Sequence, residues 1–148
     1  MEATKVIEAA CNLDDETGEV LGYVTEQLLT AGALDVWTEP IYMKKNRPGV
    51  KLCFLATFDK KDALFDIVLR ETSALGLRYV EKDRVVLPRE VLTVDTEFGS
   101  VRVKVATLPD GTKKYAPEYE DCRKLAVAKG TALKNVYRAV LDQITDNR

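Results

Sequence analysis

Residues 44–47, Lys44-Lys45-Asn46-Arg47, place three cations in four positions at the end of an apolar, strand-like run, and Pro48-Gly49 follow at once. Clustered Lys and Arg on a rigid element can hold a phosphate-rich ligand, Lys as a point charge and Arg as a fork onto two oxygens. The competing reading is a solvated strand end with some edge protection, and the residues alone leave the two even. A second set, Asn12-Leu13-Asp14-Asp15, sits where a strand passes into a helix. Adjacent carboxylates there can hold a hard divalent cation. The plainer alternative, favoured by the residues alone, is that Asp15 caps the helix and Asp14 is solvated. A third set is Arg70-Glu71-Thr72, continuing to Arg78. Arg70 suits the C-terminal end of a helix whereas Glu71 opposes the dipole, so Glu71 calls for a cationic partner. The fourth set is Leu87-Pro88-Arg89-Glu90, read as a turn between strands, together with the acids of Pro117-Glu118-Tyr119-Glu120-Asp121-Cys122, which suit a first helical turn. No glycine-rich phosphate loop is present, so a nucleotide would have to be held by side-chain cations and a metal.

The elements that must position these residues follow from periodicity. Residues 4–12 read as a strand. Residues 17–32 carry Val20, Leu21, Val24, Leu28 and Ala31 at helical spacing, with Gly32 suited to the C-terminal cap. Residues 33–43 read as a strand broken or bent at Pro40, and a turn at Arg47-Pro48-Gly49 leads to a third strand over 50–58. A second helix over 60–75 closes at Gly76, and Leu77 to Val86 form a fourth strand. The order is β-α-β-β-α-β, the split βαβ of the ferredoxin-like fold. The expected class is α+β, a plate with both helices on one sheet face. Val91–Thr96 and Val101–Val105 alternate around Glu97-Phe98-Gly99-Ser100 as an added β-hairpin. A loop over 108–116 precedes two C-terminal helices, one begun by Pro117 and ended by Gly130, the other carrying the stripe Leu133, Val136, Tyr137, Val140, Leu141 and Ile144. The expected organisation is a core over 1–86, a hairpin extension over 87–107 and a tail over 108–148, compact as one domain.

Composition narrows the function. The 148 residues carry 22 basic and 24 acidic side chains, for a net charge of −2. That balance opposes nucleic-acid backbone as the main partner. No run approaches a membrane span, and Glu2 and the early acids are wrong for a signal peptide. Cys11, Cys53 and Cys122 are widely spaced among apolar or helical residues, which reads as reduced packing cysteines in a cytoplasmic protein. With no histidine in the chain, imidazole catalysis is excluded, and a resident metal would be held by oxygen, favouring magnesium, manganese or calcium.

Several of these segments together resemble the C-terminal domain of the LarC family. They are Asn12 to Glu19 with Leu21-Gly22-Tyr23, Ala31 to Val36, Pro40 to Gly49, Arg70-Glu71-Thr72, Leu75 to Arg78, Leu87 to Glu90 and Pro117 to Cys122, and they span nearly the whole chain. The resemblance implies a ferredoxin-like domain that binds CTP with manganese or magnesium and assembles as a homo-oligomer, a hexamer. It implies a CTP-dependent nickel insertase of the lyase class. Such a protein inserts nickel into pyridinium-3,5-bisthiocarboxylic acid mononucleotide and completes the nickel-pincer cofactor of lactate racemase. It also implies a preceding domain, with Met1 opening a separate segment, and that domain is expected to handle nickel and the sulfur-bearing substrate. Charge logic within that frame gives the triphosphate to Lys44, Lys45 and Arg47, with Arg78 and Arg89 in reserve, and the divalent ion to Asp14 and Asp15, with Glu71 next. The catalytic base stays unassigned. The alternative is a non-catalytic ferredoxin-like oligomerisation or regulatory domain whose uncovered sheet face takes a partner. Nucleic-acid binding by that face is weaker still, since paired aromatics are lacking.

Overall fold

A computed structural model describes residues 1–146, so Asn147 and Arg148 of the expected tail lie outside the described residues. The chain divides into two compact units, Ala3–Arg84, and Val85 onward together with Met1–Glu2.

The first unit runs β1 (Glu2–Leu13), α1 (Gly18–Thr30), β2 (Asp35–Tyr42), β3 (Pro48–Ala56), α2 (Lys61–Glu71) and β4 (Arg78–Val86). The sheet order β2-β3-β1-β4, with β3 antiparallel to both β1 and β2, is the ferredoxin-like plate. Alternation decides what each face does. Ile7, Ala9, Cys11 and Leu13 of β1 and Leu52, Phe54 and Ala56 of β3 point to one side. There they meet Val24 and Leu28 of α1 and Leu64 and Val68 of α2, all fully buried. The intervening residues form the opposite, helix-free face.

Four boundaries differ from the sequence reading, each for a local reason. The cap of α1 is Thr17, whose hydroxyl accepts from the Val20 amide, while Asp15 accepts from the Ser73 hydroxyl. Helix α2 stops at Glu71, well before Gly76, because the Thr72 hydroxyl donates to Val68 O and accepts from the Ala74 amide. Strand β2 runs unbroken through Pro40, which its edge position tolerates. The β2–β3 turn is made by Lys44–Asn46, with positive φ at Lys45 (60°) and Asn46 (58°), while Pro48 and Gly49 already lie in β3. Positive φ at both central residues is the hand that joins twisted antiparallel strands. Gly49 is required for close approach, since a Cβ there would stand 2.7 Å from Met43 Sδ and 2.8 Å from Leu13 O.

The second unit is a three-stranded antiparallel sheet, β5 (Arg89–Thr96), β6 (Gly99–Thr107) and β7 (Lys113–Pro117), backed by α3 (Tyr119–Lys129) and α4 (Leu133–Asp146). Val101, Val103 and Val105 of β6 pack on Cys122 of α3 and on Val136 and Val140 of α4. The hairpin is thus one strand wider than the sequence suggests. Part of the expected 108–116 loop is β7, Pro117 ends that strand, and α3 starts at Tyr119. Arg89 and Glu90 belong to β5 and not to a turn. Gly130 ends α3 at φ 60°, as expected. Among the described residues no helix is long and apolar enough to cross a membrane.

Candidate functional site

The ferredoxin-like topology brings most of the sequence-expected residues to one edge of the first sheet. Strands β1 and β2 run in the same direction because each is antiparallel to β3. The end of β1, the β2–β3 turn, the start of β4, the start of α1 and the end of α2 therefore share that edge. Asp14, Asp15, Lys44, Lys45, Arg47, Glu71 and Arg78 all come from these segments. Arg89 lies in the second unit at the start of β5, beside Glu90 and Thr107.

The edge is cross-linked by polar contacts. Arg47 Nε stands 3.3 Å from Asp14 Oδ2. Arg78 Nη2 donates to Asn12 Oδ1 at 2.9 Å. Ser73, just past α2, donates its hydroxyl to Asp15 and its amide to Glu16. Among the described residues Lys44 and Lys45 form no ion pair, so both ammonium groups are free for a ligand. Arg70 pairs with Asp66 one turn earlier, whereas Glu71 is exposed and takes no ion pair among the described residues. A lysine at positive φ is itself unusual, costing about 1–2 kcal/mol of backbone preference. Such costs gather at functional turns.

For a divalent cation the donor set is hard oxygen but sparse. Among the described residues no three Asp, Glu or Cys side chains converge. One or two carboxylates, with water and phosphate completing the shell, is how magnesium-type ions are commonly held, and Asp14 and Asp15 fit that pattern. The thiols do not suit metal binding: all three cysteines are free and buried. Burial pushes Cys11 up to about 11 and raises Cys53 and Cys122 as well, keeping them protonated.

A groove of about 260 Å³ opens on the helix-free face next to this edge. Its floor is a cross-strand row, Ala10, Cys53 and Trp37, one residue from each of three adjacent strands. The next row toward the edge is Asn12, Lys51 and Glu39. Lys51 Nζ lies 3.1 Å from Glu39 Oε2. The lysine holds the Glu39 carboxyl below its usual range, and Glu39 raises Lys51 in turn. Arg78 lines the groove and, through Asn12, touches the polar edge. The sequence reading missed Trp37, Glu39, Lys51 and Ser73. For Trp37, Glu39 and Lys51 the available signal was alternation: they are odd-numbered positions of β2 and β3, polar or aromatic where the even-numbered ones face the helices, whereas Ser73 lies past α2 in neither strand.

With this geometry in place, comparison with known proteins is direct. The family model described as "Nickel insertion protein" matches residues 1–137. This chain belongs to the nickel insertion protein family. A family member from Lactiplantibacillus plantarum, the pyridinium-3,5-bisthiocarboxylic acid mononucleotide nickel insertion protein, is 50% identical over 140 residues, covering 95% of this chain and 33% of its own length. The protein of the same name from Acetivibrio thermocellus is 47% identical over 143 residues, covering 94% of this chain and 35% of its own. The chain thus spans about a third of the length of these curated relatives. Among solved structures, LarC2, the C-terminal domain of a cyclometallase involved in the synthesis of the NPN cofactor of lactate racemase, superposes with a TM-score of 0.88 at 46% identity. That match covers 97% of this chain and 99% of the other. A Methanopyrus kandleri protein at 23% identity and TM-score 0.59 shares the fold.

Proposed function

We propose that this chain is the CTP- and divalent-cation-binding C-terminal portion of a nickel insertase that places nickel into pyridinium-3,5-bisthiocarboxylic acid mononucleotide for the lactate racemase cofactor. The observation that carries the reading is the edge cluster. Lys44 and Lys45 are exposed on the β2–β3 turn and form no ion pair among the described residues, Arg47 lies beside the Asp14 carboxylate, and Arg78 donates to Asn12. In this reading Lys44, Lys45 and Arg47 take the triphosphate oxygens. Asp14 and Asp15 hold manganese or magnesium, and Glu71 stands next in line. The ion supplies charge neutralisation and polarisation of a phosphoryl oxygen.

Nickel enters as substrate. With no histidine in the chain and its thiols held protonated by burial, we assign nickel and sulfur handling to the part of the relatives outside the matched segment. The same reading includes a cytoplasmic homo-oligomer, a hexamer, whose mass light scattering reports. Isothermal titration of CTP with manganese or magnesium, against ATP and GTP, tests the nucleotide assignment. Metal-dependent binding that favours CTP is expected, and absence of binding to folded chain refutes it.

A further inference from the structure

We infer that the open face of the second sheet seats a phosphate monoester over Ala106, between Arg89 and Lys114. The seat follows from the geometry of the second unit alone, and its link to the reaction rests on the substrate reading above.

Alternation picks out the face. Val101, Val103 and Val105 of β6 pack on α3 and α4, so Ser100, Arg102, Lys104 and Ala106 turn the other way. Strand register adds Arg89, Val91, Thr93 and Asp95 from β5, and Lys114 and Ala116 from β7. Four of these residues are cations and one is an acid, although the chain as a whole has a net charge of −2. The one acid, Asp95, already accepts from the Ser100 hydroxyl.

Two of the four cations have partners. Arg102 pairs with Asp121, and Lys104 with Glu118. Arg89 and Lys114 are exposed and form no ion pair among the described residues. Both lie directly opposite Ala106, one on each side of it. With strands about 4.8 Å apart, their backbones stand about 10 Å from each other across a single methyl group. Two long side chains can close over that short one onto the same anion. Ala116, opposite Lys104, keeps the floor low toward β7. The backbone beside Arg89 is pinned, since the Thr107 amide donates to Pro88 O at 3.0 Å.

Charge selects the ligand. A phosphate monoester carries about −1.5 to −2 at pH 7, with its second pKa near 6, which matches two free cations. Arg89 can fork onto two of its oxygens, and Lys114 adds a point charge. A carboxylate would leave one cation over. In the substrate reading the monoester is that of the pyridinium mononucleotide, gripped here while its sulfur-bearing ring is handled by the rest of the protein. A nucleoside triphosphate offers related oxygens, so the test separates the two sources.

Lysine acylation read by mass spectrometry reports each site on the intact chain. Nicotinic acid mononucleotide, a pyridinium nucleotide with one phosphate monoester, should slow labelling of Lys114 by about tenfold at saturation, while the riboside lacking the phosphate should not. That protection should fade below about pH 6, where the monoester loses its second charge. By calorimetry, Ala106→Glu, which sets a carboxylate between the two cations, should weaken mononucleotide binding by about tenfold or more, and Lys114→Gln should do the same without touching the sheet interior. No protection of Lys114 up to about 10 mM mononucleotide overturns the seat and leaves its cations as protection of edge strands. Equal protection of Lys114 by CTP with manganese overturns the monoester assignment. Protection that follows protein concentration and not ligand assigns the face to a second copy and overturns it too. CTP binding without mononucleotide binding refutes the seat and leaves the nucleotide reading standing; mononucleotide binding without CTP binding does the reverse.

Discussion

Arg47 Nε and Asp14 Oδ2 lie 3.3 Å apart across the gap between the β2–β3 turn and the end of β1. The contact joins the cationic turn to the acidic junction, two segments 33 positions apart in the chain by subtraction of their numbers. Arg47 is half-exposed, so the pair adds little to stability, about 0–1 kcal/mol. Its use is to set the two charges side by side. Arg47→Ala should leave the melting temperature nearly unchanged and weaken CTP binding about tenfold or more, the scale of a charge-assisted hydrogen bond. Differential scanning fluorimetry and calorimetry on the same samples separate the two effects.

Lys45 offers a sharper split. At φ 60° a lysine is strained and a glycine is not. Lys45→Gly should therefore be neutral or stabilising by up to about 1 kcal/mol, while triphosphate affinity falls. A purely structural turn residue would not move stability and affinity in opposite directions.

Gly49 carries the reverse expectation. Any Cβ there meets Met43 Sδ and the Leu13 carbonyl, and the carbonyl cannot give way without shifting β1. Gly49→Ala should cost about 1–3 kcal/mol in chemical denaturation and displace the cationic turn.

The three cysteines should resist thiol reagents at neutral pH in the folded chain and react once it is unfolded, because burial raises each thiol pKa. Ellman titration with and without denaturant measures this. Rapid reaction of native Cys53 would contradict the burial of the groove floor.

In the second unit Asp121 accepts from the Arg102 side chain at 2.8 and 2.9 Å and from the Arg102 amide at 3.0 Å, and the guanidinium beside it holds its carboxyl well below the usual carboxylate range. A folded pKa below the unfolded value near 3.9 means stability that is complete above that value and lost as pH falls through and below it. Asp121→Asn should flatten the acid limb of the stability profile, as read by thermal melts between neutral and strongly acidic pH.

Much of this was legible in the sequence. Helix α1, the alternation of β1 and β3, the β5–β6 hairpin and the stripe of α4 carry strong periods, and the βαββαβ order follows from them. The misreadings have physical causes. Pro48-Gly49 looks like a turn, but Gly49 is small because backbone passes close by, and the turn falls on Lys45 and Asn46 instead. Asp15 and Thr17 are both good caps, and the choice between them is made by Ser73, 58 positions away from Asp15. Strand β7 is five residues long, polar and closed by Pro117, so pairing with β6 defines it more than propensity does. The charges of the edge were readable where they come in short runs, Asp14-Asp15 and Lys44 to Arg47. The groove was not, because each strand contributes only alternate residues to it.

The central claim is that the cations of the β2–β3 turn hold a triphosphate, and the most direct measurement is CTP binding in the presence of manganese by wild type and by Lys44→Ala/Lys45→Ala side by side. Both side chains are exposed and outside any ion pair among the described residues, so the double variant should melt with wild type. The account predicts metal-dependent CTP binding by wild type and a loss of at least about tenfold in the variant. Equal affinity in the two proteins, at equal stability, would contradict it.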